Sequence, residues 1–270
     1  MSGPPRRGLG GILLALLAIG VLAFLCLPIA IVVPMSFSSA DTLTFPPPSL
    51  SLRWYDAFFG DSRWVDAGLN SLVLAFLSSS LALIFGTLAA YALVRGSFIG
   101  RRVLESNFVA PMIIPPVITA VALYIFFAKT RILGSFPGLV AAHTVLSAPY
   151  VVLLMSVAIQ SFDIRIEQVA LTLGASKSQM LTRILVPNLV PSALAAWIFA
   201  FIISFDEVVV TQFVAGRYFT IPKKMFNELI LQINPTITAI ATILIGLSVV
   251  TLGIVMVLMR RAGLLAARLN

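Results

Sequence analysis

The run DIRIEQVALTLGASKSQMLTRILVP, residues 163–187, is a polar island between two stretches, 132–162 and 184–205, that contain no Asp, Glu, Lys or Arg. Glu167 to Leu173 reads as a short helix. Gly174 is its natural stop, because glycine enters the left-handed conformation at a helix end without steric cost. A second helical stretch is expected over Ser176 to Leu185, and Pro187 and Pro191 punctuate the entry to the apolar segment that follows. The result is a helix–Gly–helix lying on a surface, with apolar side chains available to a groove on another protein.

Outward from this island, charge-free stretches recur at 8–40, 67–94, 106–128 and 229–259. Each is long enough for the roughly 20 apolar residues of a membrane-spanning helix. Of the 270 residues, 60% are hydrophobic and 10% charged. A water-soluble domain carries about 25% charge to solvate its surface, so a soluble globular protein is excluded and the bilayer is the solvent. The expected fold class is an all-α membrane protein with six transmembrane helices, at 11–35, 69–94, 106–128, 138–160, 191–214 and 236–259. Both termini are expected in the cytoplasm, and the protein is expected in the bacterial inner membrane. The fifth span is expected to run on through Asp206 and Glu207. Arg6 and Arg7 precede an apolar run too long for the h-region of a cleaved signal peptide, so the first helix is read as retained.

Of the 18 basic residues, 11 fall on segments this topology places inside and 7 outside, a bias that agrees with the positive-inside rule. The net charge of +8 is thus read as membrane flanks rather than a nucleic-acid surface. The domain plan is a cytoplasmic N-terminus at 1–10, an accessory first helix at 11–35, a periplasmic loop at 36–66, a core at 67–260 that includes the cytoplasmic loop 161–190, and a cytoplasmic tail at 261–270. In the outer loop, Phe45-Pro46-Pro47-Pro48 is stiff and extended. Leu52 to Phe59 reads as a short interfacial helix whose aromatics suit the headgroup layer. Cys26, the sole cysteine, lies in an apolar run and excludes an intrachain disulfide.

The polar island resembles the EAA loop of type I ABC importer permeases, whose pattern is E-A-A, three residues, G, nine residues, I, one residue, L-P. Gln168, Val169 and Ala170 occupy the E-A-A positions, Gly174 the glycine, and Ile184, Val186 and Pro187 the closing I-x-L-P. Gln168, Val169 and Val186 depart from the pattern, and Glu167, one place early, stands as a substitute acid. Ala175 follows the glycine as part of a Gly-Ala-Ser run. The resemblance implies that Glu167, Gln168, Val169, Ala170, Gly174, Ala175, Ile184 and Pro187 belong to a coupling element docked on an ATPase. It implies a second homologous permease subunit, two ATP-binding subunits and a periplasmic substrate-binding protein as partners, with lipid around them. ATP and Mg would be held by the partner ATPase. The chain itself holds no phosphate-cradling G-x-x-x-x-G-K-[ST] loop, and is expected to be neither an enzyme nor a cofactor protein.

Two acids inside an expected span mark function, because intramembrane charge is costly. Trp197, Ala200, Ser204, Glu207 and Thr211 form one stripe at helical spacing, small, aromatic and polar. Asp206 falls with Phe199, Ile202 and Val210 and is expected to be buried against a neighbouring helix and paired to a cation. The segment Ser204-Phe205-Asp206-Glu207-Val208-Val209-Val210, followed by Phe213 and Gly216, resembles the spermidine/putrescine permeases of the PotC type. Polyamines are chains of ammonium groups, for which carboxylates beside aromatics are suitable partners. Permeases for opines, amino-acid derivatives and ferric iron share much of the segment and stand as alternatives. The candidate pathway set is Glu207, Asp206, Ser204, Thr211, Trp197 and Tyr124.

His143, Ser147 and Tyr150 share a face of the fourth span, where a histidine either relays protons or bonds one helix to another. Pro111, Pro115 and Pro116 are expected to kink the third span. No internal repeat supports an ATP-independent secondary transporter. Asp206 and Glu207 are neighbours on one segment rather than an opposed dyad, which argues against an intramembrane acid protease.

Overall fold

The computed structural model describes residues 9–231 and 234–250. Among them the chain is helical: α1 (Leu9–Ser36), α2 (Arg53–Gly60), α3 (Ser62–Arg95), α4 (Arg101–Ile113), α5 (Pro116–Thr130), α6 (Phe136–Ser161), α7 (Ile164–Thr172), α8 (Lys177–Met180), α9 (Val186–Asp206), α10 (Val209–Val214), α11 (Ile221–Leu231) and α12 (Thr236–Val250). A π-helical turn, Leu181–Leu185, joins α8 to α9. Four helical runs are long and apolar enough to cross a bilayer: Gly10–Ser36, Ser62–Arg95, Phe136–Ser161 and Lys177–Asp206. The pair α4 and α5 makes a fifth if taken as one broken span. The sixth expected span, 236–259, is described only as α12, and its remainder, like the termini at 1–8 and 251–270, lies outside the described residues.

Two compact units divide the chain: Met1–Ser62 with Glu228–Asn270, and Arg63–Asn227. In the first, α1 is exposed along most of its length, with Ser36 buried at its end, where its hydroxyl meets Val33 O and Tyr55 Oη at 2.7 Å each. The segment after α1 doubles back through an antiparallel bridge between Ser38 and Leu50, and Arg53 clamps it by pairing with Asp41 and donating to Ser39 O.

The second unit contains both apolar clusters and every candidate site residue. Its helices meet through small side chains: Ala67, Ser71, Ala75, Ser78, Ala82 and Ala90 make the buried seam of α3. Lipid tails are as apolar as leucine, so helices in a bilayer gain by close packing rather than by leaving water, and small residues allow the approach. Two apolar clusters result. One gathers Val151, Met155 and Ile159 of α6 with Ala170, Met180, Leu185, Leu189 and Ala200. The other gathers Leu74, Phe127, Leu139, Val210 and Val214.

Three features differ from the expectations. The third span is bent by 109° between α4 and α5, far more than a kink. Ile114 precedes Pro115 and is held extended at ψ 132°, as pre-proline sterics demand, and the chain leaves in a new direction. The second span begins at Ser62 rather than 69, so Arg63, Trp64 and Asp66 belong to a helix and not to the outer loop. The fifth span is continuous with the polar island through Pro187 but ends at Asp206 rather than at 214. The π turn explains how Pro187 is tolerated. A proline in a helix clashes with the carbonyl four residues back, and the widened turn over Leu181–Leu185 takes up that strain.

Candidate functional site

Asp163 starts α7 by accepting a bond from Arg165 N at 2.9 Å, an N-cap. Gly174, at φ +90°, ends the turn that follows α7. Ser176 and Gln179 then form a reciprocal capping box that starts α8. Gly174 and its neighbours thus set a fixed angle between two helical pieces. Ala170 packs into the first apolar cluster and Ala175 and Ile184 lie against it, while Gln168, Val169 and Pro187 face outward. Exposed Ile166, Val169 and Leu173, at 47%, 55% and 82%, give α7 and its exit an unfilled apolar face.

Glu167 does not join that face. It is buried, and its Oε1 accepts from Arg95 Nε at 2.9 Å. Arg95, the last residue of α3, also donates to Ile159 O at 2.9 Å and Phe162 O at 2.8 Å, carbonyls at the end of α6. One guanidinium therefore ties α3, α6 and α7 together. A cation at a helix C-terminus also complements its dipole.

The acids lie at a break. Asp206 ends α9, Glu207 is extended at ψ 120°, and α10 begins at Val209. The stripe from Trp197 to Thr211 on one continuous helix is therefore interrupted. Glu207 turns back and accepts from Val210 N at 2.6 Å, serving one of the orphan donors of the new helix. Asp206 is exposed and, among the described residues, has no ion-pair partner, which corrects the expectation of burial and pairing.

Ser204 and Thr211 are buried and tied into a polar cluster instead of lining open space. Ser204 Oγ meets Ser78 Oγ at 2.8 Å and His143 Nδ1 at 2.9 Å, and Thr211 Oγ1 meets His143 Nε2 at 3.0 Å. His143 thus bonds helix to helix. Ser147 donates to Ala200 O at 3.3 Å. Trp197 is half-buried, donates to Ser80 Oγ at 3.1 Å and packs edge-on to Phe76. Tyr124, on α5, is 45% exposed. Sequence reasoning passed over Arg95, Ser78 and Ser80. The two serines carried a signal, lying on α3 within a run of three, Ser78-Ser79-Ser80, inside a charge-free span.

Long apolar helices packed through small residues, a membrane helix broken at two acids, and a capped helix–Gly–helix at one end define a transport permease component. The family described as the binding-protein-dependent transport system inner membrane component matches residues 82–264, and the chain belongs to it. It is 34% identical to the spermidine/putrescine transport system permease protein PotC of Haemophilus influenzae over 229 residues, 84% of this chain and 89% of that one. It is 32% identical to the putrescine transport system permease protein PotI of Escherichia coli over 231 residues, 83% of this chain and 82% of that one. A solved bacterial ABC transporter involved in the import of the acidic polysaccharide alginate overlays at a TM-score of 0.74, covering 95% of this chain and 98% of its own, at 18% identity, a likeness of fold. The chain is a multi-pass inner-membrane permease subunit of a binding-protein-dependent ABC importer, and it works with partner subunits.

Proposed function

We propose that this subunit conducts polyamines, spermidine and putrescine, inward across the membrane. The observation that carries the substrate reading is the exposed Asp206 carboxylate beside Glu207 at the break between α9 and α10. An ammonium 4 Å from one carboxylate gains about 4 kcal/mol at an effective dielectric of 20. A polyamine, with several ammonium groups on a flexible chain, can trade one such contact for the next. Support also comes from the relatives, whose names state spermidine and putrescine.

In this reading a second, homologous permease completes the pathway, two ATP-binding subunits sit on the cytoplasmic side with ATP and Mg, and a periplasmic binding protein delivers the solute. The apolar face of Ile166, Val169 and Leu173, with Gln168 beside it, docks on the ATPase. Closure of the ATPase pair moves α7. Because α7 is ionically tied to Arg95, the ends of α3 and α6 move with it, and the permease alternates its access.

The test is ATP hydrolysis and uptake by the reconstituted complex with spermidine- or putrescine-loaded binding protein, comparing wild type with Glu207→Gln. Glutamine keeps an oxygen to accept from Val210 N, so the cap survives and only the charge is removed. The reading expects stimulation by both polyamines and a fall in uptake for the variant. Stimulation by a different solute alone would refute the polyamine assignment.

A further inference from the structure

The polar cluster around His143 occupies a specific place in the fold. Along α3, Leu74 belongs to one apolar cluster and Ala82 to the other, with Ser78 between them; along α6, Ala142 and Val151 bracket His143 in the same way. The histidine is fully buried, and both ring nitrogens are used. Its two partners are on opposite sides of the break: Ser204 on α9 and Thr211 on α10.

The bonding follows from what the break does to the backbone. In a continuous helix the Ser204 carbonyl would accept from the amide of Val208, four residues on. The break leaves it without that partner, and His143 Nδ1 lies 3.1 Å away. Nδ1 also meets Ser204 Oγ at 2.9 Å. Nε2 lies 3.0 Å from Thr211 Oγ1, whose hydroxyl also reaches Glu207 O at 3.0 Å. The imidazole therefore satisfies the last turn of α9 and holds the first turn of α10, and the segment Phe205–Val208 is suspended between these two fixed points. An unpaired carbonyl in the membrane interior is expensive, so the break and the histidine support each other.

We infer that His143 is a positioning residue for transport: by clamping both sides of the break, it sets the direction and spacing of the Asp206 and Glu207 carboxylates that meet the cation. This rests on the proposed role of those acids. His143 itself touches no substrate. Loss of the clamp lets Ser204 O recapture the Val208 amide, which extends α9 through Glu207 and rotates both carboxylates.

The experiment measures spermidine taken up per ATP hydrolysed in proteoliposomes of the full complex with loaded binding protein. The variants are His143→Leu, His143→Gln, Thr211→Val and Asp206→Asn. Thr211→Val preserves shape and severs one arm of the clamp, so it decides the matter if His143→Leu fails to assemble. Expected are at least threefold falls in the ratio for Asp206→Asn, His143→Leu and Thr211→Val, with partial recovery in His143→Gln. If Asp206→Asn lowers the ratio while the His143 and Thr211 variants lose uptake and hydrolysis in proportion, or lose neither, His143 serves packing alone and the inference is overturned. If Asp206→Asn leaves the ratio unchanged, the proposed role of the acids fails and the inference falls with it.

Discussion

Arg95 and Glu167, 72 residues apart in the chain, meet at 2.9 Å in a pair whose side chains are only 14% and 6% exposed. Around that pair the end of α3, the end of α6 and the whole of α7 are held as one piece. On the proposed coupling role α7 must be stiffly joined to what it moves, and this ion pair would be the joint.

Removing one member of a buried pair strands the other and costs roughly 3–5 kcal/mol. Arg95→Ala is therefore expected to lower the melting temperature of the detergent-solubilised subunit and to uncouple ATP hydrolysis from uptake. Glu167→Gln, which keeps an acceptor for the guanidinium, is expected to have the smaller effect. Scanning fluorimetry and uptake assays on both variants check the order; equal and negligible effects would remove the joint from the account.

The outward face of α7 is expected to be covered when the ATPase binds. Val169→Cys and Leu173→Cys should react readily with a maleimide in the isolated subunit and be protected at least fivefold in the assembled complex. Ala170→Cys, buried in the first cluster, should react poorly in both states.

Gly86 of α3 sits against α6 so closely that a Cβ there would lie 2.7 Å from Val151 Cγ1 and 2.9 Å from Val151 Cβ. The latter atom is fixed to the α6 backbone and cannot swing aside. Gly86→Ala is expected to destabilise the subunit by about 1–3 kcal/mol through overpacking, and Val151→Ala in the same chain should restore part of the loss. Thermal melts of the single and double variants measure it.

Lys223 is buried on α11, where its Nζ donates to Gly216 O at 3.0 Å and Tyr218 O at 3.2 Å. Burial pushes its pKa below the ordinary 10.5. Between the depressed folded value and the unfolded one, the unfolded chain binds more protons than the folded chain, so this residue's contribution makes stability rise with pH across that window. Melts taken from neutral pH towards 10 should show the rise, and Lys223→Met should flatten it.

Much of this organisation is legible in the sequence, and the misses have physical causes. Charge-free stretches locate α3, α6 and α9 because a charge inside a bilayer is costly wherever it falls. The stop at Gly174 is readable because few other residues tolerate its positive φ. Pro115 and Pro116 announce a break, but not its 109° size. The break at Glu207 has no glycine or proline to mark it. His143, whose Nδ1 lies 3.1 Å from the Ser204 carbonyl, is 61 residues earlier in the chain. Asp206 still lies on the α9 face of Phe199 and Ile202, but that face is exposed where burial was expected, whereas Glu207 and Thr211 lie past the break. The partner of Glu167, Arg95, is likewise remote in the chain.

The central claim is that carboxylates at a broken membrane helix pass a polyamine inward at the expense of ATP. It is tested most directly by radiolabelled spermidine uptake into proteoliposomes containing the complete complex, with loaded binding protein outside and ATP inside, for wild type and Asp206→Asn. The account predicts ATP-dependent accumulation by wild type and at least a fivefold lower rate for the variant at matched complex content. Uptake that proceeds equally well without ATP, or that is unaffected by loss of the Asp206 charge, would contradict it.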